Sequence, residues 1–291
     1  MGRFDILNEI RRLAPERDHQ RIMHLSFGYE FCWDSVRALE IALYRTYCVP
    51  SISGVLDRSG EFYRNTQRRY DDTAILIAEM CEWGYEDGRG KAALDRINWA
   101  HSHFQITNDD FLYVLSTFIF EPIKWIDAFC WRKLCEQERL GYYYFWREVG
   151  RRMGMRDIPP SYEAFASWAA EYERRTFRFE ETNRKIGSAT RNLFASWFPR
   201  FATPIVHYSI YALLDDDMIR AFGFPKPLPL TRPLIRGGLK LRGRLVRFLP
   251  PRREPHFFTD NPNRTHRAGY EIAKLGPPTL VASEERTKAP H

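Results

Sequence analysis

Strand patterns, long apolar runs and paired cysteines are all scarce in this sequence. β-branched runs with period-2 alternation are almost absent, which excludes a sheet protein and predicts an all-α fold. The longest mainly apolar run, Phe111 to Phe120, is about half of the ~20 residues that a bilayer span needs. Glu121, Lys124 and Asp127 follow it, so a buried helix is expected there. Five cysteines (Cys32, Cys48, Cys81, Cys130 and Cys135) are scattered without a CxxC pair, which argues against a disulfide framework. The opening residues, MGRFDILNEIRRLAPERD, lack the apolar centre of a signal peptide. Together these features predict reduced thiols and a cytoplasmic location.

Familiar catalytic motifs are missing as well. There is no HExxH, no P-loop glycine pattern and no GxSxG, and no repeat of fixed length. A ferritin-like di-iron site needs two ExxH motifs on facing helices. A single ExxH occurs, Glu16 with His19, in the charged PERDHQR, and it reads as a solvated segment. Acids are absent from Lys226 to Arg253, where nine Lys or Arg stand. That stretch accounts for the whole formal charge of +7. The basic balance therefore belongs to one segment, and no nucleic-acid partner is expected.

What is present is aromatic and helical. Eight Trp, fifteen Tyr and twenty-one Phe can fill a core or line a large apolar pocket. Helical periodicity is read over Asp34–Tyr47 with Asp34 as N-cap, over Gln67–Trp83 with Gly84 as C-cap, and over Gly90–Phe104. Asn108 is expected to cap the next helix, with Asp109 and Asp110 favoured by its dipole, and Pro122 to kink or end it near Glu121. Further helices are expected over Glu136–Gly154, after a cap at Ser161, and over Glu180–Phe198. VPSISGVLDRSG (Val49–Gly60) reads as a loop or short turn. Residues 1–224 form the expected main domain. Residues 225–291 are read as a Pro-rich linker, a basic amphipathic helix and a flexible tail, with the last ~15 residues disordered.

Three features carry candidate chemistry. His101 and His103 lie two apart, hence ~200° apart on a helix, and cannot share one metal. The residues alone leave open whether one is a ligand or both are ordinary helix histidines. Arg69 and Thr73 are i, i+4 and share a helix face, where they could hold an oxygen-derived ligand or form a salt-bridged first turn. Glu61 is an upstream carboxylate that could serve as a base. In the basic segment, Arg236, Lys240, Arg244 and Arg247 form one stripe, with Ile235, Leu239, Leu245, Val246 and Leu249 mainly to other sides. This suits either a helix on an anionic membrane surface or one packed on the domain with a solvated basic face. Gly237, Gly238 and Gly243 weaken the helix itself.

RYDDT, RINWAHSHF, NDDFLYVLSTF, FWREVGRRMGM with IPPSYEAF, and IGSATRNLFASWF follow one another in order. They resemble the MpaB-like family, related to the fungal ER-bound oxygenase of mycophenolic acid synthesis and to rubber oxygenase, the latex-clearing protein. The resemblance covers roughly Arg45 to Gly223, with a weaker trailing match at AGYEIAKLG. It implies an all-helical domain with a b-type haem in a pocket between helices. It makes His101 the proximal iron ligand, with His103 in reserve, and places Arg69 and Thr73 on the distal side. Dioxygen and an apolar, lipid- or isoprenoid-like substrate are the implied partners, and oxidative cleavage or oxygenation of a C=C bond the implied reaction. Phe111, Tyr113, Phe118 and Trp125 are the expected apolar wall. A non-catalytic haem or lipid carrier would use the same pocket. Two departures stand out: rubber oxygenase has a Lys just before the distal Thr, where this chain has Asp72, and a catalytic Glu whose position holds no Glu here. Glu61, the nearest upstream carboxylate, is out of register.

Overall fold

The computed structural model describes residues 2–288 of the chain. It contains fifteen α-helices and no strand among the described residues. They are α1 (Asp5–Ile10), α2 (Pro15–Leu25), α3 (Cys32–Thr46), α4 (Pro50–Ser59), α5 (Glu61–Arg64), α6 (Thr66–Trp83), α7 (Gly88–His101) and α8 (Asn108–Phe129), then α9 (Glu136–Arg152), α10 (Tyr162–Thr176), α11 (Glu181–Ser196), α12 (Thr203–Leu213), α13 (Asp216–Phe222), α14 (Thr231–Val246) and α15 (Pro278–Lys288). The protein is all-α, as its periodicity predicts.

α8 is the central element. It packs against α3, α9, α10 and α14, and its apolar residues are buried on several sides, including Leu112, Leu115, Ile119, Ile123 and Ile126. This burial explains why α8 runs on through Pro122 to Phe129 rather than stopping near Glu121. An interior proline costs about 3 kcal/mol, and each large aliphatic side chain buried against a neighbouring helix returns roughly 2 kcal/mol. The N-cap is also one residue earlier than expected: Thr107, not Asn108, accepts the Asp110 N–H. Asp110 does more than favour the helix dipole. Its buried carboxylate accepts from Ser51 Oγ at 2.7 Å and Tyr172 Oη at 2.6 Å, tying α8 to α4 and α10.

The expected loop at Val49–Gly60 is helix α4. Its punctuating residues sit at the ends, where a helix tolerates them: Pro50 in the first turn, and Gly60 beyond the last residue with φ +68°. Ser53 in the middle is buried against Asn183 of α11, donating to its Oδ1 at 2.6 Å. Asp34 is likewise not a cap. It lies inside α3, buried, and takes the Trp125 indole N–H at 3.1 Å and Arg242 at 3.0 Å. Ser161 caps α10 as expected, accepting from Ala164 N.

The segment after residue 225 packs on the rest of the body. α14 lies against α8 and α12, and Gly243 is what permits it: a Cβ there would stand 2.0 Å from the Phe129 carbonyl oxygen. The tail is held as well. Asp71 and Asp72 on α6 receive it: Thr265 N donates to Asp71 at 3.0 Å, and His266 Nε2 and Gly276 N lie 2.6 and 2.9 Å from the Asp72 carboxylate. Leu275 is fully buried and its carbonyl accepts from Arg96 Nε at 2.6 Å. Residues 278–288, expected to be disordered, form α15, which Arg96 pairs through Glu284 at 2.8 Å; residues 289–291 lie outside the described residues. These anchors are polar groups far apart in sequence, so composition at the terminus does not reveal them.

Candidate functional site

A mostly apolar pocket of about 230 Å³ lies among α6, α7, α8 and α9. Each helix contributes one face at helical spacing: Arg69, Thr73, Leu76 and Met80 from α6, Ile97 and His101 from α7, Phe111, Leu115 and Phe118 from α8, and Trp146 and Val149 from α9, with Met153 just past its end. Tyr47, Glu61 and Thr190 close another side. Arg69, Thr73, His101 and Glu61 are therefore brought to one cavity from α6, α7 and the short α5.

The two histidines have different surroundings. His101 is the last residue of α7 and faces the cavity, with its ring edge-on to Phe111 at 5.3 Å between centroids. Its Nδ1 is buried and has no hydrogen-bond partner among the described residues. Burial, reinforced by the positive charge of Arg69, pushes its pKa down to about 4, so the imidazole is neutral and keeps a free lone pair near neutral pH. His103 lies beyond the helix end, is exposed, bonds the Trp99 carbonyl at 2.8 Å and packs on the Trp99 ring. It does not line the cavity.

Arg69 is the one charged donor of the constellation. Among the described residues its guanidinium has no ion pair; it lies 5.7 Å from the Phe62 ring centroid. Burial disfavours its charge, with Tyr47, Glu61 and Asp72 partly offsetting that. Thr73 donates its hydroxyl to the Arg69 carbonyl at 2.9 Å. That proton is committed to the helix, and the oxygen remains as an acceptor toward the cavity. Glu61 is 4% exposed, and one carboxylate oxygen accepts from Asn65 Nδ2 at 2.9 Å.

Of the expected wall, Phe111 and Phe118 line the cavity, while Tyr113 and Trp125 do not. Positions 111, 115 and 118 share one face of α8 and 113 points elsewhere; 125 is in phase with 118 but two turns further on, beyond the residues that line the cavity. Tyr113 stacks on Tyr172 and donates to Glu173 at 3.0 Å. Trp125 packs on Phe129. Tyr47 was not legible as a site residue. It is buried beside Arg69; burial raises its pKa, with the Arg69 charge and hydrogen bonding to Thr190 opposing this. Its sequence signal is only a tyrosine at the end of an apolar helix face. Asp72 is committed to the tail through His266 and Gly276 N, with Arg68 3.5 Å away.

Fold and site together define an all-helical protein built around one large, mostly apolar pocket with a neutral histidine and an unpaired arginine. The family described as ER-bound oxygenase mpaB/B'/Rubber oxygenase, catalytic domain, matches residues 33–248, and the chain belongs to that family. It is similar to ER-bound oxygenase mpaB of Penicillium roqueforti (strain FM164), 31% identical over 210 residues, covering 66% of this chain and 70% of that protein. It is also similar to ER-bound oxygenase mpaB' of Penicillium brevicompactum, 28% identical over 243 residues, covering 77% of this chain and 57% of that one. With ER-bound oxygenase mpaB of the same species, identity is 31% over 222 residues, 69% of this chain and 57% of that one. The chain thus spans little more than half the length of the last two relatives. No helix among the described residues is long and apolar enough to cross a membrane.

Proposed function

We propose that this chain is a haem b-dependent oxygenase acting on an apolar, lipid- or isoprenoid-like substrate, oxygenating or cleaving a C=C bond. The observation that carries the reading is the pairing of His101 and Arg69: a buried neutral imidazole with an unpartnered nitrogen, and a guanidinium that forms no ion pair among the described residues, in one apolar cavity. Among the described residues no three His, Cys, Asp or Glu cluster to hold a bare metal ion. A single histidine suits a metal whose four equatorial donors come with a macrocycle, so these residues fit haem.

Haem bound there supplies iron for dioxygen chemistry on an alkene. His101 would hold it by its lone pair, available because burial keeps the ring unprotonated. Arg69 would hold negative charge, either a carboxylate of the cofactor or charge developing during reaction; in a water-poor site such a fixed cation is worth more than in bulk solvent. The Thr73 oxygen can accept a hydrogen bond, since its own proton is held by the Arg69 carbonyl. Phe111, Phe118, Trp146 and Leu115 exclude water and offer dispersion contacts to a hydrocarbon chain. Glu61, beside Arg69, would hold or release a proton at its free carboxylate oxygen. A substrate of this class partitions into bilayers, so a peripheral position on a membrane would serve the reaction.

The test is a UV–visible spectrum of protein expressed with added haem precursor, wild type against His101→Ala. A Soret band lost or shifted in the variant is expected; stoichiometric haem with unchanged axial ligation in the variant would remove His101 as ligand. Product formation from dioxygen and an unsaturated lipid separates an oxygenase from a carrier, which would bind reversibly without product.

A further inference from the structure

Exposed large apolar side chains are concentrated in one region. Sixteen occur among the described residues, and eleven fall between Phe198 and Leu249, less than a fifth of the chain. They include Phe201 at 83%, Leu230 at 80% and Phe248 at 82% exposed. Soluble monomers rarely leave such a concentration uncovered unless it meets a partner or a membrane.

α14 carries three faces. Ile235, Leu239, Gly243 and Val246 turn inward; Leu239 and Val246 pack on the main core. Leu234, Leu241, Leu245 and Phe248, spaced i+7, i+4 and i+3, form an outward apolar stripe, each more than half exposed. Lys240, Arg244 and Arg247 form a second outward stripe alongside it and have no ion pair or hydrogen bond among the described residues. The remaining basic side chains of the helix are used within the protein: Arg232 on Asp216, Arg242 on Asp34, and Arg236 over the Phe129 ring. α12, packed against α14, adds a further exposed stripe with Ile205 and Tyr208, continued by Phe201 one turn earlier.

We infer that the outward faces of α12 and α14 form a docking surface for an anionic lipid bilayer, with Phe201, Ile205, Leu241, Leu245 and Phe248 entering the acyl boundary and Lys240, Arg244 and Arg247 meeting the headgroups. An apolar stripe bordered by free cations, with no acid from Lys226 to Arg253, is the arrangement that lies in an interface plane. A second copy is the poorer occupant: a two-fold contact would set the same cationic stripe against itself. This inference specifies the membrane part of the function proposed above and does not depend on haem.

The experiment is co-sedimentation of the full chain with phosphatidylcholine vesicles, with and without phosphatidylserine. Three proteins are compared: wild type, Leu241→Ser/Leu245→Ser/Phe248→Ser, and Lys240→Gln/Arg244→Gln/Arg247→Gln. All six positions are exposed, so both variants should keep the wild-type circular dichroism and melting temperature. Wild type is expected to pellet preferentially with the anionic vesicles, more weakly at high salt. The serine variant should bind all vesicles roughly 100-fold more weakly, and the glutamine variant should lose roughly 100-fold on anionic vesicles and little on neutral ones. Wild type that pellets no more with vesicles than without would overturn both the docking surface and the membrane reading. Variants that pellet like wild type would overturn this surface alone and leave the membrane reading standing. A wild-type dimer in light scattering that the serine variant converts to a monomer would assign the face to a second copy instead. The haem spectrum is unaffected by either variant, so failure here is separable from failure at His101.

Discussion

Arg45 and Arg69 are both guanidinium groups turned into the protein, and their surroundings are opposite. Arg45, on α3, lies 3.0 Å from Glu121 and 3.0 Å from Glu173, and also pairs with Asp215. These partners raise its pKa well above the ordinary value despite burial. It joins α3, α8, α10 and the start of α13. Arg69 faces a cavity with no ion pair among the described residues, and burial lowers its pKa. A buried charge that the fold has already neutralised is part of the scaffold; one left without a partner marks a place where a ligand is to supply the missing charge.

The largest test of this contrast is Arg45→Met. It leaves Glu173 and Asp215 without their cation and Glu121 with Lys124 alone, and stability should fall by about 3–5 kcal/mol, read by urea unfolding. A loss below about 1 kcal/mol would mean that the cluster is solvated and that the comparison with Arg69 fails.

Next in size is the acid response of the cavity. His101 has a folded-state pKa of about 4 against an ordinary 6.5, so the unfolded chain binds its proton first. Its stabilising contribution is complete above about pH 6.5 and is lost as pH falls toward about 4, amounting to at most about 3 kcal/mol. Unfolding of the haem-free protein across that window, compared with His101→Phe, checks the sign: the variant should show the shallower decline.

Arg69→Met should act in the opposite direction to Arg45→Met. Putting an apolar side chain in place of a cation whose burial is only partly offset should leave the ligand-free protein equally stable or about 1 kcal/mol more stable, while haem or substrate affinity falls. A destabilisation as large as that of Arg45→Met would place Arg69 in the scaffold. The smallest effect is expected at His103, exposed beyond the end of α7. His103→Ala should change stability by less than about 0.5 kcal/mol and leave any Soret band unmoved.

Much of this was legible along the chain. The 3.6-residue periodicity located most of the long helices, because an amphipathic face records burial locally. Arg69 and Thr73 were legible as one face for the same reason. α4 was misread because Pro50, Gly54 and Gly60 count as breakers in composition, whereas their effect depends on position: Pro50 and Gly60 sit at the ends. Continuation of α8 through Pro122 was not legible, since the helices that bury it come from distant segments. The tail was misread because what holds it, Asp71, Asp72 and Arg96, lies about 180 to 200 residues upstream. Tyr113 and Trp125 were placed in the wall on aromatic character alone: helix phase turns Tyr113 away, and Trp125 lies two turns beyond Phe118, past the lining, where its indole meets Asp34.

The sequence by itself determined the helical class, the family through the ordered segments from RYDDT to IGSATRNLFASWF, and the set of polar residues able to do chemistry. These rest on local periodicity and on short runs of residues. Tertiary structure decided which histidine faces the cavity, which arginine lacks a counter-ion, and which basic side chains of α14 remain free. Each of these is a question of what approaches a side chain from elsewhere in the chain, and burial and charge compensation exist only once the distant helices have met.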